Sequence, residues 1–250
     1  MSGLFRAARY LTTLPLPGDG RDHGRLGAAA AWFPVVGLGI GLLVVVVERV
    51  VGRIFPGLLA ALLVVTVWKL LTGGLHLDGL ADCLDGLMGG TPADRLRIMR
   101  DSRIGSFGAI GLILFLTLEV AAVAELDPSV RWRALLAAPT IGRAVPPLLG
   151  RLYRPARADG HGATFAAGLG RARTLIALAL ATLVGAVALG AVGLVATAAA
   201  VTTAVAIGYF LNRRLGGVTG DVFGAAVEMA ELAVLLTVSA WAHGLNRDPW

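Results

Sequence analysis

Residues 175–211 read LIALALATLVGAVALGAVGLVATAAAVTTAVAIGYFL, without a single Asp, Glu, Lys or Arg. A membrane-crossing helix needs about 20 apolar residues. The run is too long for one such helix and fits two, folded near Gly190 or Gly193. The same criterion, carried outward, gives spans at Ala28–Val47, Leu58–Leu71, Phe107–Ala124, Leu135–Leu149 and Val222–Trp241. Composition agrees: 56% of the 250 residues are hydrophobic and 15% are charged, against roughly 25% charged in soluble domains. The expected fold class is all-α, a polytopic integral membrane helical bundle of about seven transmembrane helices. It forms a single membrane-embedded domain over residues 1–250.

Arginine placement orients the bundle. The N-terminal segment and residues 72–106, 150–173 and 212–221 carry most of the arginines; the opposite set holds Arg49, Arg53, Arg131, Arg133 and Arg247. Positively charged loops stay inside, so the first set is expected to face the cytoplasm. The net charge of +6 points to anionic lipid headgroups and phosphorylated substrates rather than to nucleic acid. Phe5, Tyr10, Leu11 and Leu14 fit a short interfacial helix stopped by Pro15 and Pro17. Trp68 and Lys69, near the end of the second span, read as an interface anchor. The only cysteine, Cys83, allows no internal disulfide and reads as a packing residue.

The chemistry gathers in Gly73-Gly-Leu-His-Leu-Asp-Gly-Leu-Ala-Asp-Cys-Leu-Asp-Gly86. Asp78, Asp82 and Asp85 stand four and three residues apart, which on a helix puts them on one face. Like charges so stacked repel, and a hard divalent cation such as Mg²⁺ relieves the repulsion. The pattern Gly73-Gly74-x-x-x-Asp78 recurs as Gly216-Gly217-x-x-x-Asp221, making Asp221 a fourth metal candidate with Thr219 beside it. Glu228 and Glu231, three apart within the last span, are candidates to complete the acidic site from another helix. In Met99-Arg-Asp-Ser-Arg103, Arg100 and Arg103 offer forked donors to phosphate oxygens, with Asp101 and Ser102 between them. Arg143 lies in an apolar span, where a charge faces a cavity or a partner. His76 is a candidate general base, and Asp82 and Asp101 are the carboxylates considered for catalysis.

With these motifs the chain resembles the adenosylcobinamide-GDP ribazoletransferase family, also called cobalamin synthases. The likeness runs from Leu11-Thr-Thr-Leu-Pro-Leu-Pro17 and Phe33-Pro-Val-Val-Gly37 through residues 73–86 and 99–108 to Gly216-Gly-Val-Thr-Gly-Asp-Val-Phe-Gly-Ala225. The resemblance implies an enzyme that joins adenosylcobinamide-GDP to α-ribazole or its 5′-phosphate. It would release GMP, require Mg²⁺ and lie in the bacterial cytoplasmic (inner) membrane with its active-site loops facing the cytoplasm. Asp78, Asp82, Asp85 and Asp221 would serve the metal, and Arg100 and Arg103 the phosphates. Homo-oligomer formation stays open. The core also looks like that of CDP-alcohol phosphotransferases, but the Ala-Arg of their longer motif is missing after Asp78-Gly79. A membrane transporter is the other alternative. Transporters keep ionisable groups near the bilayer midplane, whereas this acidic cluster borders an arginine-rich loop.

Overall fold

A computed structural model describes residues 3–16, 26–158 and 160–245. Pro17 and Arg247, and with them Arg21 and Arg25 of the arginine-bearing N-terminal segment, lie outside the described residues. The helices are α1 Gly3–Leu11, α2 Phe33–Val51, α3 Gly57–Leu71, α4 Leu75–Gly86, α5 Pro92–Ile98 and α6 Ser106–Glu125. They continue with α7 Pro128–Gly142, α8 Val145–Leu152, α9 His161–Ala167, α10 Arg171–Leu189, α11 Ala191–Leu215 and α12 Gly220–Leu245. A 3₁₀ turn, Gly27–Trp32, leads into α2.

Local chemistry sets these boundaries. Thr91 caps α5, its Oγ1 accepting from Asp94 N at 3.2 Å, with Pro92 as the first helical residue. Asp127 Oδ1 caps α7 by accepting from Ser129 N at 2.8 Å. The long uncharged run breaks at Gly190, whose φ of +62° suits glycine, and yields two helices as expected. Between α3 and α4 the chain turns by 90° through Gly73 and Gly74, at φ +61° and +67°. The second expected span is thus half of a bent pair whose other half carries the aspartates.

The fold is an all-α helical bundle. Among the described residues five helices are long and apolar enough to cross a membrane, and the α3–α4 pair makes a sixth if counted as one span. The span expected at Leu135–Leu149 is instead divided between α7 and α8, of 15 and 8 residues. Arg143 stands at the break, and Pro146 and Pro147 in the first turn of α8 carry no N–H to continue a ladder from α7. Leu42, Val46, Ile113, Leu114, Val187 and Val195 point outward, as side chains facing lipid would.

The bundle is organised around α12, of which 72% of the apolar window is buried, against 28% for α10. Helix α11 lies against it and buries Gly193, Ala196, Ala200, Ala204 and Gly208, small residues that let helices approach closely; Gly193 meets Gly185 of α10, and Gly208 meets Leu149 of α8. Helix α4 packs on the N-terminal end of α12, where a Cβ on Gly79 would lie 2.7 Å from Asp221 O and one on Gly224 3.2 Å from His76 Cα. Gly79→Ala should therefore push α4 off α12 and cost about 1–3 kcal/mol, read as a lowered melting temperature in detergent. An unchanged melting temperature would mean that the two helices can part freely.

Residues 72–106, 150–173 and 212–221 meet at one end of the bundle, as the arginine pattern requires. Arg95 Nη1 donates to Arg214 O at 3.0 Å, Arg157 Nη2 to Leu96 O at 2.6 Å, and Val218 N to Arg154 O at 2.9 Å.

Candidate active site

Helix α4 carries the three aspartates on one face, but seven residues of helix rise about 10 Å, too far for one ion to reach both ends. The structure uses them differently. Asp85 Oδ2 accepts from Gly105 N and Oδ1 from Gly108 N, both at 2.7 Å. Its carboxylate thus satisfies amides at the start of α6 and meets the positive end of that helix dipole. A Cβ on Gly108 would run into the same carboxylate. Asp85→Ala should cost about 1–2 kcal/mol as a lost cap, seen as a lower melting temperature, while the shift in melting temperature on adding Mg²⁺ should match that of wild type. A smaller Mg²⁺-induced shift in the variant would make Asp85 a metal ligand instead.

Asp78 and Asp82, one turn apart, line an open cavity of about 710 Å³ together with Arg100, Asp101, Ser102 and Arg103. Two of the four sequence candidates for metal thus share one space with the candidates for phosphate. Arg103 grips Asp101: Nε donates to Oδ1 at 3.0 Å and Nη2 to Oδ2 at 2.7 Å. Those hydrogen bonds hold the Asp101 carboxyl down at about 2. A carboxylate so weakly basic orients Arg103 rather than taking protons.

A second cavity, of about 110 Å³, shares Leu75 and Asp78 with the first and adds Asp221, His76 and the rings of Tyr10, Phe33, Phe165 and Phe223. The echo between residues 73–78 and 216–221 thus ends with both aspartates on one cavity wall. Thr219 Oγ1 donates to Asp221 Oδ2 at 3.1 Å and accepts from Val222 N at 3.3 Å, orienting Asp221 at the start of α12. A third hollow, of about 190 Å³, adjoins Asp221 and is lined by Thr219, Gly220 and Arg157. Asp82 feels the charges of Asp78, Asp221 and Asp85. Hard oxygen donors crowded beside a polar cavity fit Mg²⁺.

Glu228 and Glu231 do not join this site. They follow Asp221 by seven and ten residues and so lie roughly 10 and 15 Å further along α12. There they meet Lys69, whose Nζ is 2.6 Å from Glu228 Oε2, 2.8 Å from Glu119 Oε1 and 3.5 Å from Glu231 Oε2. One oxygen from each glutamate falls within 4.8 Å of the others, a spacing that would admit an ion, and the lysine ammonium serves as that cation. Lys69 and Trp68 are both buried, so the pair is not an interface anchor. Arg143, 1% exposed, ion-pairs with Glu231 and lines neither aspartate cavity. Its Nη2 lies 3.4 Å from His76 Nδ1. A guanidinium only donates, so Nδ1 accepts and a neutral His76 carries its proton on Nε2.

The sequence pattern does not single out Glu119 or the aromatic wall, and it gives Tyr10 only a place in an interfacial helix. Glu119 had a signal, since a carboxylate inside an apolar span is as unusual there as at Glu228. The rings had none, because they come from four separate segments.

The profile of the cobalamin-5-phosphate synthase family matches residues 3–239. An adenosylcobinamide-GDP ribazoletransferase of Chlorobaculum tepidum is 38% identical over 98% of both chains. One of Escherichia coli (strain K12 / DH10B) is 39% identical over 95% of this chain and 100% of its own. One of Geotalea daltonii is 36% identical over 94% of this chain and 96% of its own. No solved structure matches the chain.

Proposed function

The chain belongs to the cobalamin-5-phosphate synthase family, and from that premise we propose that it joins adenosylcobinamide-GDP to α-ribazole or its 5′-phosphate, with release of GMP. One observation carries the reading: the arginine-lined cavity and the aromatic-walled cavity meet at Asp78. A donor diphosphate in the first and an acceptor hydroxyl in the second would come together there.

In the proposed reaction the hydroxyl oxygen of the acceptor ribose attacks the phosphorus bonded to the cobinamide arm. A P–O bond forms, the bond from that phosphorus to the bridging oxygen of GMP breaks, and GMP leaves with the electron pair. Arg100 and Arg103 bind diphosphate oxygens, Asp101 keeps the Arg103 fork aimed, and Ser102 offers a hydroxyl on the same wall. Asp78 and Asp82 would hold Mg²⁺, which when bound supplies neutralisation of phosphate charge and alignment for in-line displacement. Asp221, expected among the metal ligands, lines the acceptor cavity, and we assign it the hydroxyl proton, with Thr219 fixing its orientation. His76 acts as a hydrogen-bond donor through Nε2. The concentration of arginines at this end of the bundle supports a cytoplasmic site in the bacterial inner membrane.

The test is GMP release from adenosylcobinamide-GDP by purified protein in detergent, followed by chromatography. Release should require both α-ribazole and Mg²⁺. Release without an acceptor, or turnover with CDP-diacylglycerol instead, would overturn the reading.

A further inference from the structure

We infer that the small aromatic-walled cavity seats the flat base of the acceptor nucleoside, an inference that rests on the transfer reaction just proposed. Tyr10 from α1, Phe33 from the start of α2, Phe165 from α9 and Phe223 from α12 converge on it. Phe33 and Phe165 stack with centroids 5.5 Å apart and planes 19° apart. Tyr10 stacks on Phe33 at 6.4 Å, and Phe223 meets Phe165 edge-on at 5.6 Å. Each ring is held by the next, so little side-chain freedom is left to lose when a ligand docks. A wall of locked rings favours a planar aromatic ligand. A volume of about 110 Å³ suits one small ring system and not a corrin macrocycle.

Position separates the acceptor base from the other aromatic base in the reaction, the guanine of the donor. In-line displacement puts nucleophile and leaving group on opposite sides of phosphorus. A base in the aromatic cavity brings its own sugar to Asp78, across from Arg100 and Arg103, so the departing GMP belongs in the open cavity. Polarity points the same way. Guanine would bring several donors and acceptors against rings that cannot satisfy them, and buried polar groups left unpaired are costly. A benzimidazole-type base has one unsubstituted ring nitrogen, and His76, with Nδ1 turned to Arg143, has its Nε2–H available for one acceptor.

The test uses steady-state kinetics of wild type, Phe165→Leu and Phe223→Leu, with free benzimidazole as the probe. Loss of a flat face should raise KM for α-ribazole by about tenfold, with KM for adenosylcobinamide-GDP unchanged. Benzimidazole should inhibit wild type in competition with α-ribazole and not with the donor, and both variants should weaken that inhibition. A rise confined to the donor KM, with weaker product inhibition by GMP, would give the cavity to guanine and overturn the inference. So would a loss of kcat with both KM values unchanged, which would make the rings packing alone. If neither variant folds, competition of benzimidazole with the donor in wild type is still decisive against it. Should wild type release no GMP, the reaction is misread, but equilibrium dialysis of benzimidazole against donor-free protein still reports on the cavity.

Discussion

Asp78→Asn should lower kcat for GMP release by on the order of 10³-fold at saturating Mg²⁺ on the proposed role of Asp78 in holding that ion, since a phosphoryl transfer that loses one metal-holding carboxylate loses several kcal/mol of charge stabilisation. Asp78 is the side chain common to the two cavities, so its replacement strikes where donor and acceptor meet. The same substitution should not destabilise the protein. Asp82 feels the charge of Asp78 beside those of Asp221 and Asp85, and the neutral amide removes one of these like charges while keeping its shape. Melting in detergent without Mg²⁺ should therefore occur at or above the wild-type temperature, and added Mg²⁺ is expected to stabilise wild type more than the variant. The two readouts together make the test. Inactivity with raised or unchanged stability places Asp78 in the metal shell. Inactivity with an equal fall in stability makes it a packing residue, and full activity removes it from the site.

The second large effect is expected far from the chemistry. Lys69→Met should cost about 3–5 kcal/mol, the penalty for leaving buried charges without their partner. Three carboxylates converge on this ammonium, and without it Arg143 alone would face them. The measurement is thermal unfolding in detergent, together with recovery of folded protein from the membrane. Glu119→Gln placed on the Lys69→Met background should restore part of the loss, since it removes a carboxylate that Lys69 had compensated. A coupling of about 1–3 kcal/mol between the two positions is the expected size for groups in one network. Additive effects would show that Lys69 and Glu119 do not depend on each other. Because Arg143 bridges Glu231 to His76, the double variant should also show whether this network helps to hold the site.

Much of this molecule can be read from the chain alone. Apolar runs without charge can only be buried in lipid or in one another, so Leu175–Leu211 implies a pair of membrane helices whatever its neighbours do. The spacing of Asp78, Asp82 and Asp85 puts them on one helical face for purely geometric reasons. Glycine pairs at Gly73-Gly74 and Gly216-Gly217 mark the turns that launch Asp78 and Asp221, since three of the four, Gly73, Gly74 and Gly216, adopt left-handed backbone just before those helices. Arginine density identifies which loops share an end. Each of these signals is local, or is a sum along the chain, and needs no knowledge of what lies opposite.

Partnership is another matter. Whether a carboxylate serves a metal, a helix end or an ammonium depends on the element packed against it. Asp85 has the same periodicity as Asp78 but faces the amides of Gly105 and Gly108. Glu228 shares a helix with Asp221, yet two turns of rise carry it away from the cavity and onto Lys69. Tyr10, Phe33, Phe165 and Phe223 become one wall only when four distant segments are brought together. The chain by itself determined a bundle of membrane helices with an acidic, arginine-flanked end. Only tertiary packing decided which charges neutralise one another and which face open space, because electrostatic and ring contacts act over a few ångströms between residues whose separation in sequence carries no trace of them.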